Sequence, residues 1–305
     1  MAWKMTLNSI IDVKQSVNSQ QWIDAMKDEL KSMDDNGVWD LAELPEGVKP
    51  IGCKWIFKTK RDSSGNIERY KARLVAKGFT QREGIDYKET FSPFSMKVSF
   101  KIIMALVAHY DLELHQMDVK TAFLNGNIEE TIYMVQPENL ENNSSNSLVC
   151  KLKKSIYGLK QASGQWYQKF DQIITSYGFV GNVVDQCIYN KFSGSKFIFL
   201  VLYVDDILLA SSDMNLLYDT KKFLSRNFEM KDLGIASFVL GIQIHRDRSR
   251  CMLGLSQEAY IDRVLSRFDM KDCAPGDTPI AKGDKFSLLQ CPKNDIEKGQ
   301  IKDIP

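Results

Sequence analysis

No apolar run in this sequence is long enough to cross a membrane. A membrane-spanning helix needs about 20 consecutive apolar residues, whereas the strongest run here extends only from Phe197 to Val204 and is typical of a buried strand. The N-terminus, Met1 to Lys4, also lacks the apolar stretch of a secretory signal. We therefore expect a protein that is not secreted, has no membrane partner, and is intracellular, either cytoplasmic or nuclear.

Cysteine and histidine are too few and too scattered to indicate a metal site. Metal-binding cysteines usually occur in closely spaced pairs, and the sequence contains no C-x-x-C spacing. A disulfide framework is equally unsupported, so a reducing compartment fits best. We interpret the six cysteines as core residues. They are Cys53, Cys150, Cys187, Cys251, Cys273 and Cys291. No catalytic role is assigned to the three histidines, His109, His115 and His245.

The chain also lacks an overall excess of one charge sign, because its formal net charge is only +1. The basic residues are nevertheless concentrated in two segments. Between Lys49 and Arg82 there are ten basic and two acidic residues, and between Lys151 and Lys169 there are five lysines and no acid. Each segment alone is consistent with a solvated surface, but two such segments could line a channel that holds a polyanion.

Hydrophobic periodicity switches between helical and strand patterns without a regular βαβ alternation, which favours an α+β fold. Helices are predicted over residues 22–33, 100–108, 156–177, 215–228 and 257–268. Strands are predicted over residues 53–60, 67–79, 112–119, 197–204, 207–210, 238–245 and 251–255, with a turn at 62–65 and a flexible polar loop at 142–147. We expect a mobile N-terminal arm (1–20), a main domain (21–270) and a linker (271–305).

Two adjacent acidic residues separate two apolar strand segments in the tetrapeptide Tyr203-Val204-Asp205-Asp206. Two desolvated carboxylates repel each other and require a counter-charge. A divalent metal ion supplies it, and oxygen ligands of this kind suit Mg²⁺. Asp118, near the end of a predicted strand, is the candidate third carboxylate. For the tetrapeptide alone, a simple role in a hairpin turn remains an equal alternative.

Six segments supply the context that the tetrapeptide lacks. In chain order they are RYKARLVAKGF (69–79), QMDVKTAFLNG (116–126), SIYGLKQA (155–162), YVDD (203–206), MKDLG (230–234) and LGIQI (240–244). Together they resemble the reverse-transcriptase region of a copia-type LTR-retrotransposon polyprotein. The resemblance covers roughly residues 20 to 280 of the chain.

The resemblance implies a right-hand polymerase fold, with fingers, palm and a partial thumb, that catalyses RNA-directed DNA synthesis. It implies that Asp118, Asp205 and Asp206 are catalytic and bind two Mg²⁺ ions, with the backbone carbonyl of Val119 completing one coordination sphere. The implied partners are an RNA or DNA template with its primer, together with dNTPs. The oligomeric state is left open.

The resemblance also implies a dNTP site formed by Lys71, Arg73, Phe123, Gly158 and Gln161. Period-two alternation places Lys71 and Arg73 on one face of their strand, where an arginine can bind a phosphate in bidentate fashion. Phe123 would exclude ribonucleotides by contact with the sugar. The alternatives are a solvated strand face, a core-packing Phe123, a helix cap at Gly158 and a surface Gln161.

Two further residues would contact nucleic acid, Tyr203 near the primer end and Lys160 on the template side. A tyrosine in a hairpin needs no such role, so this alternative stays open for Tyr203. Two positions depart from the family pattern. Gly164 stands where arginine is usual, which is expected to weaken contact with template phosphate and costs about 1 kcal/mol of helix propensity relative to alanine. Phe94 stands where a smaller aliphatic residue is usual.

The chain stops at Pro305, within a stretch that resembles the linker before the RNase H domain of such polyproteins. We therefore expect a truncated copy without capsid, protease, integrase and RNase H regions. Two hypotheses remain: an RNA-directed DNA polymerase domain, and a catalytically silent remnant that folds and only binds nucleic acid. The intact acidic residues favour the first hypothesis.

Overall fold

The computed structural model describes residues 10–61, 66–138, 148–273, 291–295, 297 and 299. The helices are α1 (Ile10–Gln15), α2 (Ser19–Asp35), α3 (Lys97–His109), α4 (Ala162–Ser176), α5 (Met214–Asn227) and α6 (Glu258–Arg267). The strands are β1 (Trp39–Glu43), β2 (Cys53–Arg61), β3 (Ile67–Ala76), β4 (Glu113–Val119), β5 (Asn127–Met134), β6 (Leu148–Lys154), β7 (Val180–Gly181), β8 (Ile188–Ser193), β9 (Lys196–Tyr203), β10 (Asp206–Ser211), β11 (Met230–Ile235), β12 (Phe238–Val239), β13 (Ile242–Asp247) and β14 (Met252–Ser256). Helices and antiparallel sheets are interleaved, as the α+β prediction states.

The chain divides into two compact units. The larger contains the described residues up to Ala236 together with Arg248–Met252, and the smaller contains Ser237–Asp247 and the described residues from Leu253 onward. The boundary falls inside the stretch 21–270 that the sequence assigns to one domain. All site residues predicted from the sequence belong to the larger unit.

A six-stranded antiparallel sheet with the strand order β11-β4-β10-β9-β8-β7 forms the centre of the larger unit. All but the first residue of β10 is buried within it, as are Ile198 and Leu200 to Leu202 of β9. The core beneath the sheet includes Trp166 and Phe170 of α4 and Leu217 and Leu224 of α5. Because packing covers these central strands, the turn that joins β9 to β10 projects from a rigid base.

A second core joins α2, the β2–β3 hairpin and the three-stranded sheet β1-β6-β5. Trp22 of α2 makes edge-to-face contacts with Phe57 of β2 and Tyr70 of β3, at centroid distances of 5.5 and 4.6 Å. One face of β3 is therefore buried against α2. Lys71 and Arg73 lie on the opposite face, because side chains alternate along a strand.

Most predicted helices and strands are present, with two corrections. The helix predicted from Ile156 begins only at Ala162, because Gly158 adopts a left-handed φ of +91° that a helix cannot contain. The strand predicted over 238–245 is interrupted at Leu240 and Gly241, both with positive φ. The sequence also missed several strands, among them β1, β5 and β6, whose mixed polar patterns are stabilised by pairing with distant segments.

Three expectations concern the termini and loops. α1 lies inside the expected mobile arm, but its Ile10 and Val13 are buried, so residues 10–15 are packed. The predicted turn at 62–65, the polar loop at 142–147 and most of the linker 271–305 lie outside the described residues. Among the helices that the structure does describe, none combines the length and the apolar character needed to span a membrane.

The cysteines do not all behave as core residues. Cys150 and Cys187 are buried as predicted, and Cys53 is half-buried. The prediction is wrong for three others, which are exposed: Cys251, Cys273 and Cys291. Cys251, for example, occupies the turn that precedes β14, where no element covers it.

Candidate active site

The turn between β9 and β10 carries Asp205 and is held in a strained conformation. Tyr203 pairs with Asp206, so the turn itself consists of Val204 and Asp205. Val204 has a φ of +57°, which is unfavourable for a β-branched residue. Two hydrogen bonds hold this backbone: the Trp166 indole N–H donates to the Val204 carbonyl at 2.7 Å, and the Val119 amide donates to the Asp205 carbonyl at 2.7 Å.

Strand pairing brings Asp118 to the same end of the sheet. In the β4–β10 register Asp118 lies directly opposite Asp206, and on its other side Asp118 pairs with Lys231 of β11. The three predicted catalytic acids therefore lie at the end of two adjacent strands. Their arrangement follows from register and could not be read from the sequence alone.

The electrostatics of these acids show an unmet charge. Burial, together with repulsion from Asp205, raises the pKa of Asp118 above its ordinary value, although nearby Lys60, Lys71 and Lys231 oppose this rise. Burial also raises the pKa of Asp206, against the effect of a hydrogen bond from Gln116. Both carboxylates would be stabilised by a cation at this end of the sheet.

Asp206 has a hydrogen-bond partner within the protein. The Gln116 side-chain amide donates a hydrogen bond of 2.8 Å to Asp206 Oδ1, and Gln116 itself is buried. Over the residues with a described position, no group of three acidic, histidine or cysteine side chains is close enough to hold one metal ion. The structure thus does not bring the three predicted metal ligands into one cluster.

The carboxylates of Asp118 and Asp205 nevertheless suit a divalent metal ion. Mg²⁺ is commonly bound through one or two carboxylates, with water and substrate phosphate oxygens completing the octahedron. All donor atoms here are oxygens. The half-buried carboxylates of Asp118 and Asp205 repel each other, and a bound cation would offset that repulsion. A site of this kind is completed by its substrate.

The β2–β3 hairpin presents basic side chains toward these acids. Lys71 and Arg73 are half-buried, and Lys71 acts electrostatically on Asp118. Burial and repulsion from Arg73 and Lys60 lower the pKa of Lys71. An anion between the hairpin and the carboxylates would relieve this repulsion, as expected for a phosphate-binding surface.

Phe123 is half-buried and lies at the junction of the two cores. Its ring contacts the ring of Tyr157, with centroids 4.9 Å apart at an angle of 63°. Tyr157 in turn supports Arg73, whose guanidinium carbon lies 4.3 Å from the centre of the tyrosine ring. Tyr157 was not among the predicted site residues, although it stands beside Gly158 in the segment SIYGLKQA.

Gly158 and Gln161 are used within the protein. A Cβ on Gly158 would overlap the carbonyl oxygen of Ala76, and a Cβ on Gly78 would overlap the Gly158 carbonyl oxygen. This close approach fastens the end of β3 to the segment before α4, so Gly158 is not a helix cap. The alternative of a surface Gln161 is wrong, because its side chain is 1% exposed.

The buried Gln161 amide has several protein partners. It donates to the Asp86 carbonyl at 2.9 Å and accepts from the Gln81 amide at 3.0 Å. A buried polar side chain with satisfied hydrogen bonds stabilises local structure. Gln161 therefore fixes the beginning of α4 against residues 81–86.

The two predicted nucleic-acid contacts are accessible. Tyr203 is 39% exposed. Lys160 is exposed and its ammonium group lies 2.9 Å from the Tyr87 hydroxyl. Gly164 is buried, and a Cβ there would lie 2.8 Å from the Phe91 carbonyl oxygen. Any larger residue at position 164 would therefore displace the segment that contains Phe91 and the exposed Phe94.

A family profile described as reverse transcriptase (RNA-dependent DNA polymerase) matches residues 36–282. The chain is 48% identical over 298 residues to the retrovirus-related Pol polyprotein from transposon TNT 1-94 of Nicotiana tabacum, covering 97% of this chain and 22% of that protein. It is 38% identical over 275 residues to the corresponding polyprotein from transposon RE1 of Arabidopsis thaliana, covering 90% and 19%.

A more distant relative is the Transposon Ty1-NL2 Gag-Pol polyprotein of Saccharomyces cerevisiae, 28% identical over 290 residues, with 90% of this chain and 15% of that protein covered. The chain spans about a fifth of the length of the tobacco and Arabidopsis relatives. The resemblance drawn from the six segments is thereby confirmed.

Proposed function

Because this chain belongs to the reverse transcriptase (RNA-dependent DNA polymerase) family, we propose that it catalyses RNA-directed DNA synthesis as the polymerase region of a copia-type retrotransposon Pol polyprotein. The observation that carries the proposal is the placement of Asp118 and Asp205 at one end of the six-stranded sheet. A hydrogen bond from Val119 to the turn links the two strands that bear them. The β2–β3 hairpin supplies basic residues beside them.

Asp118 and Asp205 are the proposed ligands of two Mg²⁺ ions, together with the backbone carbonyl of Val119. The ions would activate the primer 3′-hydroxyl and neutralise charge on the phosphates as pyrophosphate leaves. Asp206 is the third proposed catalytic and metal-binding acid, and the hydrogen bond from Gln116 to its Oδ1 would orient it beside the other two. The strained Val204 backbone keeps Asp205 at the tip of the turn.

The proposed dNTP site lies between the carboxylates and the β2–β3 hairpin. Lys71 and Arg73 would bind the triphosphate, and Arg73 has no ion-pair partner within the described ranges to compete for its N–H groups. Phe123 would contact the sugar and select deoxyribonucleotides. Gly158 and Gln161 would support the site by fixing the segment that carries Tyr157.

Template and primer are the proposed macromolecular partners. Tyr203 would lie near the primer end and Lys160 on the template side, because both are accessible beside the carboxylates or the start of α4. In a right-hand description, the six-stranded sheet is the palm, the β2–β3 hairpin belongs to the fingers, and the smaller unit begins the thumb. Residues 271–305 are the proposed linker that follows.

The alternative is a catalytically silent protein that only binds nucleic acid. Two features favour catalysis over this alternative. The turn that carries Asp205 is strained at Val204. Such strain costs of order 1–3 kcal/mol and is typical of functional sites, where the surrounding structure maintains it. The buried Gln116 also keeps its hydrogen bond to Asp206, which a protein that only binds polyanions has no need to preserve.

Primer extension tests the proposal directly. The purified chain is supplied with an RNA template, a DNA primer, dNTPs and Mg²⁺, beside the variant Asp205→Asn, which removes a charge at nearly constant volume. Extension by the wild type and not by the variant supports the proposed reaction. A folded wild type that binds primer-template but does not extend it would favour the silent alternative, and equal extension by the variant would refute the metal assignment.

A further inference from the structure

Tyr157 is fixed in place by its own backbone. Its carbonyl accepts a 2.7 Å hydrogen bond from the Ala76 amide at the end of β3. The next residue, Gly158, packs so closely on Ala76 that no other side chain fits there. The tyrosine therefore moves together with the end of the β2–β3 hairpin.

The Tyr157 ring joins two groups of the proposed dNTP site. Its face carries the Arg73 guanidinium, with the guanidinium carbon 4.3 Å from the ring centre. It also meets the Phe123 ring at 4.9 Å and 63°. Edge-to-face ring pairs and cation–π contacts both restrict orientation. Arg73 lies on β3 and Phe123 lies in a short helical turn between β4 and β5, so the Tyr157 ring connects two separate segments of the chain.

The Tyr157 ring restrains Arg73, and the buried Glu29 of α2 acts on the same guanidinium electrostatically. No ion pair or side-chain hydrogen bond of Arg73 is found in the portion of the chain with described positions. A guanidinium stacked on a ring keeps its N–H groups free for a phosphate. Burial raises the pKa of Tyr157 to about 12, so the tyrosine stays neutral and does not compete with a phosphate for the positive charge.

We propose that Tyr157 is a positioning residue that couples triphosphate recognition by Arg73 to sugar discrimination by Phe123. This inference rests on the proposed function, because it assigns a role within the same dNTP site. The ring, and not the hydroxyl, performs the role. Loss of the ring would therefore disturb phosphate binding and sugar selection together.

Two substitutions of Tyr157 separate the ring from the hydroxyl. Tyr157→Phe keeps the ring, whereas Tyr157→Leu keeps an apolar side chain without it. Tyr177→Leu is a matched control, because Lys191 lies 3.4 Å above the Tyr177 ring at the opposite end of α4 from the proposed site. The affinity of each protein for the next correct dNTP is measured at equilibrium on a dideoxy-terminated primer annealed to RNA, with the corresponding NTP measured in parallel.

Tyr157→Leu is expected to weaken dNTP binding by about threefold to thirtyfold, the range that a partly desolvated cation–π contact supports, and to reduce the ratio of dNTP to NTP affinity. Tyr157→Phe is expected to retain most of the wild-type dNTP affinity and most of the wild-type ratio of dNTP to NTP affinity. Tyr177→Leu should change neither. A merely structural defect would lower thermal stability without changing the dNTP to NTP ratio.

A double-mutant cycle keeps the proposal testable if Tyr157→Leu alters folding. Arg73→Lys keeps the charge but loses the planar guanidinium, so it should weaken dNTP binding in the wild type and add little in Tyr157→Leu. Additive effects of the two substitutions on dNTP affinity would overturn the proposal. So would a Tyr157→Leu protein with wild-type affinity and selectivity, or equal losses of affinity in Tyr157→Phe and Tyr157→Leu. A wild type that binds no dNTP would also overturn it. Failure of primer extension with this binding pattern intact would refute catalysis and leave the coupling standing.

Discussion

The two faces of strand β4 carry polar clusters of opposite character. Asp118 lies on one face, and its pKa is raised by burial and by Asp205. His115 lies on the other face, three residues earlier, because alternation separates odd from even positions. There a buried lysine, Lys221 of α5, lies 2.7 Å from His115 Nδ1 and donates to both oxygens of Asp232 at 2.7 and 2.9 Å.

The second cluster is internally compensated. Burial alone would raise the pKa of Asp232, but hydrogen bonds from Lys221 and the Gly234 amide outweigh it and lower that pKa. The Lys221 side chain is 7% exposed, whereas that of Asp232 is 52% exposed. The lysine thus depends on Asp232 and His115 for its stability inside the protein.

The difference distinguishes a structural cluster from the proposed functional one. Around Lys221 every charge has a partner, and the cluster connects α5, β4 and β11. Around Asp118, Lys60, Lys71 and Lys231 act on the carboxylate without forming an ion pair among the described residues, and its pKa stays raised. Removing a charge should therefore have opposite effects on stability at the two sites.

The largest expected effect follows from Asp118→Asn. Loss of a proposed metal ligand should reduce primer extension by at least about a thousandfold, since metal coordination contributes several kcal/mol to the transition state. Without divalent metal, the same variant should be more stable than the wild type at pH 7, because it removes a buried charge whose ionised form is disfavoured. Urea unfolding in EDTA measures this second effect.

Asp40→Asn serves as the control, because Asp40 forms an exposed ion pair with Lys153. It should leave extension unchanged and alter stability by less than about 0.5 kcal/mol. An Asp118→Asn protein that is less stable than the wild type in EDTA would mean that the carboxylates are already compensated, and the contrast between the two clusters would disappear.

The sequence indicated the acids of the proposed site but not the groups that contact them. Adjacent acids between apolar runs are a local pattern, so Asp118, Asp205 and Asp206 could be recognised from short segments. Gln116 contacts Asp206 across two strands, and Tyr157 contacts Arg73 across two separate elements. Such contacts depend on register and on the path of the backbone, which single-sequence periodicity does not specify.

The fold shows the same division between local and distant information. The buried strands β9 and β10 and the amphipathic helices α2 and α5 were predicted within a few residues, because their periodicity is local. β1 and β6 are about a hundred residues apart in the sequence but pair with each other. They were missed because such pairing is a tertiary effect. A surface position remained open as the alternative for Gln161, since nothing local indicates that Gln81 and Asp86 cover it.

The next largest effect concerns Asp232. Asp232→Ala leaves the buried Lys221 ammonium without its carboxylate and should lower the free energy of unfolding by about 3 kcal/mol. Lys221→Met should cost only about 1 kcal/mol, because the half-exposed Asp232 can be hydrated after the lysine is lost. Urea denaturation of both variants at pH 7 measures the asymmetry. Equal costs for the two variants would show that Lys221 is not the member that depends on burial.

A smaller effect is expected at Gln116, the buried residue that links β4 to the acidic site. Gln116→Leu removes the hydrogen bond to Asp206 and should reduce extension about tenfold, in line with a lost bond to a charged group, while raising the Mg²⁺ concentration needed for half-maximal rate. Gln136→Leu removes a comparable hydrogen bond, to the Leu148 carbonyl at 2.7 Å, and serves as the control. Identical magnesium dependence in the wild type and Gln116→Leu would remove Gln116 from the site.

The smallest effect is a pH dependence of stability that arises at His115. Burial and the neighbouring Lys221 ammonium lower its pKa, against the opposing charges of Asp232 and Glu113. As the pH falls, the unfolded chain binds the proton before the folded protein does. This contribution to stability is therefore complete above about pH 6.5 and is lost as the pH falls from there toward the folded pKa.

His115→Asn keeps an acceptor for Lys221 without titrating and should flatten the pH dependence of the free energy of unfolding in urea between pH 7 and pH 5. His109→Asn, at an exposed position at the end of α3, should retain the wild-type slope. An unchanged slope in His115→Asn would place the titrating group elsewhere and leave the Lys221 cluster as a purely permanent ion pair.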